Sequence, residues 1–123
     1  MNRMPAPGGA RQRRGLPPAG QVVELDRLRI ERALAQRRRY RYVHPRVERD
    51  GAGWKVVSPN CSRRIDPAGG EIAIAWLLPA AAGRWLLHAR DHAGQRWRLE
   101  ATCASLADAL QCIRLDPQRI FWP

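Results

Sequence analysis

The sequence predicts an α+β fold, in which one small domain holds an antiparallel meander of about five strands between an N-terminal and a C-terminal helix. The length of 123 residues, of which 45% are hydrophobic, is typical of one globular domain. Apolar residues recur at helical spacing near both ends of the chain and alternate with polar residues between them. Clusters of Gly, Pro, Asn and Asp separate the alternating runs and indicate turns.

Residues 1–21 are predicted to form a flexible basic arm, followed by a single α+β domain over residues 22–123. Eight of the 21 are Pro or Gly, and the only large apolar side chains are Met1, Met4 and Leu16. So few apolar groups cannot offset the entropy lost on ordering the segment. The arm has four arginines and no acidic residue. It would lie along phosphates or an acidic partner, or else be a solvated terminus.

A helix is predicted from Val22 to Arg38, because this stretch lacks Gly and Pro and is rich in good helix formers. Leu28 falls outside its apolar stripe, which consists of Val22, Leu25, Ile30, Ala33 and Leu34. The spacing of charges predicts two i,i+3 ion pairs: Glu24 with Arg27, and Asp26 with Arg29.

Five strands are predicted: Tyr40–Val47, Trp54–Ser58, Glu71–Leu78, Arg84–Arg90 and Gln95–Ala101. Pro45 cannot donate a ladder hydrogen bond, so the first strand is expected to lie at a sheet edge or to be bulged there. The connection from Ser58 to Gly70 is the longest predicted loop, and loops of this length are often functional.

The last two strands are predicted to form a hairpin closed by a three-residue loop, with Gly94 in the left-handed conformation and Asp91 opposite Gln95. This register places one set of residues in the core: Trp85, Leu87, Ala89, Trp97, Leu99 and Ala101. It places Leu86, His88 and Glu100 on the opposite, basic face, together with four arginines: Arg84, Arg90, Arg96 and Arg98. The third strand would add Ala73, Ala75 and Leu77 to the core, and Ile72, Ile74 and Trp76 to the basic side. Trp54 and Trp122 are also expected in the core.

A second helix is predicted after Ser105, which begins a capping-box-like pattern with Asp108 three residues later. An apolar stripe at i, i+3, i+4 and i+7 would pack on the sheet: Leu106, Ala109, Leu110 and Ile113. A turn is expected at Asp116-Pro117, after which Ile120–Trp122 would dock back on the domain.

The net charge of +11 has an unusual composition, since 21 of the 22 basic residues are arginine. Residues 37–46 contain five arginines and two tyrosines. Guanidinium groups grip phosphates and stack on bases, and aromatic rings offer stacking surfaces. This favours a nucleic-acid-binding protein, with RNA or single-stranded DNA preferred to duplex. The candidate contact residues are Arg37, Arg38, Arg39, Tyr40, Arg41, Tyr42, Arg84, Arg90, Arg96, Arg98 and Trp76, the last as an exposed stacking ring.

Two other readings of the same residues remain open. The arginines could cover a helix end and a sheet edge while the tyrosines pack in the core, and genomic base composition could explain the preference for arginine. The basic face could instead dock on an acidic protein partner, as a protein-interaction or regulatory module.

A third class is a cysteine-dependent enzyme that uses Cys61. The neighbouring Arg63 and Arg64 would stabilise its thiolate, and a base would have to come from His44, His88 or His92. The arginine-rich loop of cysteine phosphatases needs Arg six residues after the Cys, where this chain has Pro67. The chain has no catalytic or cofactor signature, so the sequence favours a binding protein and predicts no cofactor.

The cysteine pattern predicts no metal site, because Cys61, Cys103 and Cys112 form no CxxC pair. Cys103 and Cys112 are expected to be buried as small apolar residues. No secretory signal is evident, and the apolar run Ile72–Ala82 is too short to span a bilayer. These features predict a cytoplasmic protein with free thiols and no membrane partner. They leave its oligomeric state open.

Overall fold

The computed structural model describes residues 19–36, 44–60 and 70–122. They form two helices and five strands: α1 (Ala19–Ala35), β1 (Arg46–Asp50), β2 (Gly53–Pro59), β3 (Glu71–Pro79), β4 (Trp85–Asp91), β5 (Arg96–Cys103) and α2 (Leu106–Leu115). Each strand pairs antiparallel with the next, in the order β1-β2-β3-β4-β5. The predicted fold class is therefore confirmed. No helix in these ranges is long and apolar enough to cross a membrane.

Both helices pack on one face of the sheet, which we call the inner face. Ile30 and Leu34 of α1 and the four stripe residues of α2 join a single core with side chains of all five strands. Trp54, Trp85 and Trp122 belong to this core, as predicted. Neither described helix covers the opposite face, which we call the open face.

Helix α1 begins three residues earlier than predicted and also ends earlier, at Ala35. Both predicted ion pairs are present, with distances of 3.4 Å for Glu24–Arg27 and 3.5 Å for Asp26–Arg29. Leu28 is exposed as expected, but Leu25 is exposed too. The helix packs mainly on α2 and the edge strand β1, so a narrower apolar stripe than predicted is enough to bury its contact surface.

Strand β1 lies at the sheet edge, the first of the two arrangements that Pro45 predicted. The ladder starts at Arg46, directly after the proline, which has no N–H to donate. Residues 40–43, the beginning of the predicted strand, lie outside the described residues, as does most of the predicted arm.

Strand β3 contains a bulge that corrects the predicted faces of its first half. Val56 pairs with Ala75 and Val57 pairs with Ala73, which leaves Ile74 as the extra residue. A bulge changes the direction in which side chains project, and Ile74 turns into the core. Ile72 also packs against the core, whereas Ala73 lies outside the core cluster. The expected positions of these three residues were therefore wrong.

The β4–β5 hairpin has a different register from the one predicted. Asp91 pairs with Arg96, so the loop has four residues, and Gln95 rather than Gly94 takes a positive φ, of 51°. A glycine is needed at position 94 because the backbone there lies close to the Asp91 carboxylate. Its N–H donates to Asp91 Oδ1 over 3.1 Å, and an added Cβ would lie 2.8 Å from Asp91 Oδ2.

The one-residue shift turns Trp97 and Leu99 onto the open face, because opposite faces alternate along a strand. Leu99 is 54% exposed. A second irregularity, between Leu87 and His88, restores the predicted face for Ala101, which packs against the core. The prediction that Trp97 and Leu99 lie in the core was thus wrong.

Helix α2 follows the prediction closely. The Ser105 hydroxyl accepts a hydrogen bond from the Asp108 N–H over 3.2 Å, and the predicted stripe is buried: Leu106, Ala109, Leu110 and Ile113. The N-cap and the stripe together fix where the helix begins and which side meets the sheet.

The chain after α2 docks back on the core, as predicted. Asp116 ends the helix in a left-handed conformation, and its buried carboxylate accepts hydrogen bonds from three backbone N–H groups. The shortest come from Ile120, over 2.7 Å, and Trp122, over 2.9 Å; Phe121 is the third donor. Trp122 Nε1 also donates to the Ile113 carbonyl over 3.0 Å. These bonds hold Phe121 and Trp122 in the core.

Candidate functional site

The open face is divided into two chemically different halves. What we call the ionic half lies on β1, β2 and the start of β3 and consists of Arg46, Glu48, Asp50, Lys55 and Glu71. What we call the aromatic half lies on β3, β4 and β5 and consists of Trp76, His88, Arg90, Trp97 and Leu99; beyond it the same face continues with Leu78, Leu86 and Thr102. The border is a direct cross-strand pair, since Lys55 lies opposite Trp76.

The aromatic half is a continuous surface of three rings on neighbouring strands. The ring centroids of Trp76 and His88 are 4.6 Å apart, and those of Trp76 and Trp97 are 6.2 Å apart. Both pairs are tilted by 36°. His88 Nδ1 lies 3.2 Å from the Trp76 carbonyl oxygen, which helps to orient the imidazole. All three side chains remain partly exposed.

Trp76 is seated over a glycine on the neighbouring strand. A Cβ on Gly53 would collide with the Leu77 carbonyl oxygen and lie 2.8 Å from Trp76 Nε1. Nε1 itself is buried and has no hydrogen-bond partner among the residues that the structure describes. The indole edge is therefore placed by close packing on β2 and not by a polar contact.

Arg90 places a positive charge over the aromatic half. Its guanidinium carbon lies 5.1 Å from the centroid of the Trp97 ring, a cation–π geometry. Within the described ranges, no carboxylate lies within ion-pair distance of Arg90. Its charge is therefore available to an anion that approaches the rings.

The other three arginines of the predicted basic face are placed elsewhere. Arg96 and Arg98 lie opposite Asp91 and Ala89, so they project to the inner side of the edge strand β5. Each has an acidic partner: Arg96 pairs with Asp91 over 3.0 Å, and Arg98 with Glu100 over 3.3 Å. Arg84 is exposed and precedes β4, at the far end of the sheet. The predicted gathering of four arginines on one face was wrong, because the hairpin register differs.

The Arg/Tyr cluster and the Cys61 loop lie outside the described residues. This applies to six candidate contact residues and to Cys61: Arg37, Arg38, Arg39, Tyr40, Arg41, Tyr42 and Cys61. A 2.8 Å hydrogen bond from the Asn60 N–H to the Gly70 carbonyl oxygen joins the end of β2 to the residue before β3. Because the strands alternate in direction, the start of β1, the end of β2, the start of β3, the end of β4 and the start of β5 all lie at one end of the sheet. Arg90 and Trp97 lie toward this end, which we call the hairpin end.

The ionic half pairs its charges internally. Arg46 contacts Glu48 at 2.6 Å and Glu71 at 2.7 Å, while Lys55 contacts Glu48 at 3.0 Å and Asp50 at 4.0 Å. Three acids and two bases leave a net charge of −1. The hydrogen bond from Lys55, followed by that from Arg46, lowers the pKa of Glu48, and Arg46 lowers the pKa of Glu71. Both carboxylates are therefore ionised at neutral pH.

The two described cysteines lie in different environments. Cys103 is buried as expected, whereas Cys112 is exposed, contrary to expectation. Burial raises the pKa of the Cys103 thiol, and the neighbouring Cys112 adds to this effect. A raised pKa opposes thiolate formation. A largely apolar cavity of about 370 Å³ lies beside Cys112, but the Asp116 carboxylate that lines it is engaged by backbone N–H groups.

No group of three His, Cys, Asp or Glu side chains is placed to hold a metal ion in the described part of the chain. Sequence reasoning placed Trp76 and His88 on the same face, as the structure does, but missed Trp97 as a member of this surface. Trp97 continues an apolar alternation with Leu99 and Ala101, which is typical of a core strand. Only the tryptophan count could have served as a signal, since five large rings are many for one small core.

The fold and this surface define a class: small α+β proteins in which a five-stranded sheet has both helices on one face and an aromatic patch on the other. Residues 17–123 match the family described as Domain of unknown function (DUF3024), and the chain belongs to that family. Searches of curated proteins and of solved structures found no match.

Proposed function

We propose that this chain is a small cytoplasmic nucleic-acid-binding protein that holds single-stranded RNA or DNA on the aromatic half of its open face. The observation that carries the proposal is the run of three partly exposed rings beside Arg90, which has no carboxylate partner in the described ranges. The cytoplasmic location is inferred from the sequence, whose three cysteines form no paired pattern.

Stacking is the chemistry that the rings offer. Bases of a single strand expose their faces, and these stack on aromatic side chains with little dependence on sequence. Trp76 and Trp97 lie on different strands and could each take one base. A duplex hides its base faces inside its own stack, so rings on a flat sheet would gain little from it.

Arg90 adds a contact to the backbone of the same strand. A guanidinium that stacks on an indole keeps its N–H groups free at the ring edge, where they can donate to phosphate oxygens. The net charge of +11 favours a polyanion as the partner and would speed its association.

An acidic protein partner is the second candidate. Leu99 is 54% exposed beside the rings, and exposed aliphatic groups next to aromatic ones are common at protein interfaces. A pull-down with the full chain would recover such a partner, and competition by single-stranded oligonucleotides would show whether the two ligands share the surface.

Titration of a fluorescent single-stranded oligonucleotide tests the first candidate. Binding should weaken with rising salt, with a log–log slope of about −0.7 for each neutralised phosphate. The double variant Trp76→Ala/Trp97→Ala removes both stacking rings. Each lost stack should cost about 1–3 kcal/mol, or roughly 5- to 150-fold in affinity.

The matched control is Leu25→Ala/Leu28→Ala, which removes two exposed apolar side chains from α1. It should bind as the wild type does, and circular dichroism would verify that both variants fold. Absence of binding at low salt, or equal binding by the two folded double variants, would contradict the proposal.

A further inference from the structure

We propose that the ionic half is an electrostatic boundary, which limits the ligand to a short single-stranded segment of about two or three nucleotides lying across β3, β4 and β5. This inference rests on the proposed function and names the ligand of the same surface. It predicts that a longer oligonucleotide makes no additional contacts with β1 and β2.

The dimensions of the aromatic half set the length of the segment. Its rings come from β3, β4 and β5, which cover two interstrand spacings of about 4.8 Å each, and the centroids of the Trp76 and Trp97 rings are 6.2 Å apart. Along the strands it extends from His88 to Arg90, about 7 Å. Such an area accommodates a base on each tryptophan and the phosphates between them and Arg90.

The border lies where Lys55 is opposite Trp76. Beyond this pair, Arg46 is shared by Glu48 and Glu71, and Lys55 is already engaged by Glu48. A phosphate could recruit either cation only by displacing a carboxylate. The displaced carboxylate would then repel the phosphate, and the half already has a net charge of −1.

The hairpin arginines do not extend the surface on its other side. Arg96 and Arg98 project to the inner side of β5, where each has an acidic partner. Among the described residues of the open face, Arg90 is therefore the one cation without a carboxylate partner, and it anchors the bound segment on the aromatic half.

Titrations with oligonucleotides of different lengths distinguish the proposed boundary from nucleic-acid binding as such. Oligothymidylates of two, four, eight and sixteen nucleotides are titrated at low salt against the wild type, and affinities are corrected for the number of binding registers. The wild-type affinity should stop rising at about four nucleotides. In Glu48→Gln/Glu71→Gln, it should rise several-fold further at eight and sixteen, and the salt slope should steepen by about 0.7 per added phosphate.

The control is Glu24→Gln/Glu31→Gln, which makes the same charge change on exposed positions of α1. It should keep the wild-type length dependence. If the wild-type affinity keeps rising to sixteen nucleotides, or if both double variants change it equally, the boundary is overturned while nucleic-acid binding stands. If no oligonucleotide binds at any length, the proposed function itself fails. The single variant Glu71→Gln, an exposed and isosteric change, serves if the double variant does not fold.

Discussion

The ionic and aromatic halves of the open face are neighbours on one sheet, yet their exposed side chains have different kinds of partners. On the ionic half every charged side chain has an opposite charge within 4.0 Å. On the aromatic half the rings contact one another, while Leu99 stays exposed and Arg90 has only a ring as its described partner. The charges of the ionic half are thus neutralised within it, whereas the aromatic half keeps apolar area and a positive charge available to a ligand.

Gly53→Ala should have the largest effect on stability, because Gly53 allows Trp76 to pack closely at the border between the two halves. The added methyl group would collide with the Leu77 carbonyl and press on the indole. We expect a loss of about 1–3 kcal/mol in the free energy of unfolding and a shifted tryptophan emission. Chemical denaturation followed by fluorescence measures both.

Gly51→Ala is the control for that change. Gly51 has a positive φ of 61° but no atom near the position of a Cβ. It should lose about 1 kcal/mol through backbone strain alone and leave the emission unchanged. Equal emission shifts in the two variants would contradict the packing role of Gly53.

Arg90→Gln should have an intermediate effect, on binding and not on stability. It removes the cation over Trp97 and one phosphate contact, so affinity for a single-stranded oligonucleotide should fall about 2- to 10-fold. The salt slope should decrease in magnitude by about 0.7. Arg32→Gln, on the exposed side of α1, is the charge-matched control and should behave as the wild type. An unchanged salt slope in Arg90→Gln would remove Arg90 from the site.

Glu71→Gln should have a smaller effect on stability than Gly53→Ala. The Arg46–Glu71 pair is half exposed on both sides, and exposed ion pairs contribute little to folding. A thermal melt should show a small decrease in Tm that shrinks further at high salt. A decrease in stability as large as that of Gly53→Ala would mean that the ion pairs of the ionic half make a major contribution to folding.

Acid should weaken the ion pairs of the ionic half, and this is the smallest expected effect. The pKa values of Glu48 and Glu71 are lowered in the folded chain by Lys55 and Arg46, relative to an ordinary value of 4.5. Their stabilising contribution is therefore complete above pH 4.5 and is lost as the pH falls through the lower, folded-state values. NMR titration of the carboxyl carbons would show midpoints below 4.5. Midpoints at or above 4.5 would contradict the ion-pair network.

Much of the fold could be predicted because its signals are local. The Ser105 cap and the stripe of α2, the two ion pairs of α1 and the edge position of β1 each depend on residues a few positions apart. The hairpin shows where local reasoning ends. A glycine at position 94 suits either a left-handed turn position or a close approach to Asp91, and the two give registers that differ by one residue.

The sequence by itself determined the α+β class, the number of strands, the second helix with its docked tail, and the presence of Trp76 outside the core. Only the tertiary structure decided that Trp97 accompanies Trp76. Two bulges and a one-residue change of register moved Ile74 inward and Trp97 outward. The physical reason is that strand side chains alternate with a period of two, so a shift of a single residue exchanges the faces of a sheet. Pairing with the neighbouring strand, and not the strand's own composition, sets that shift.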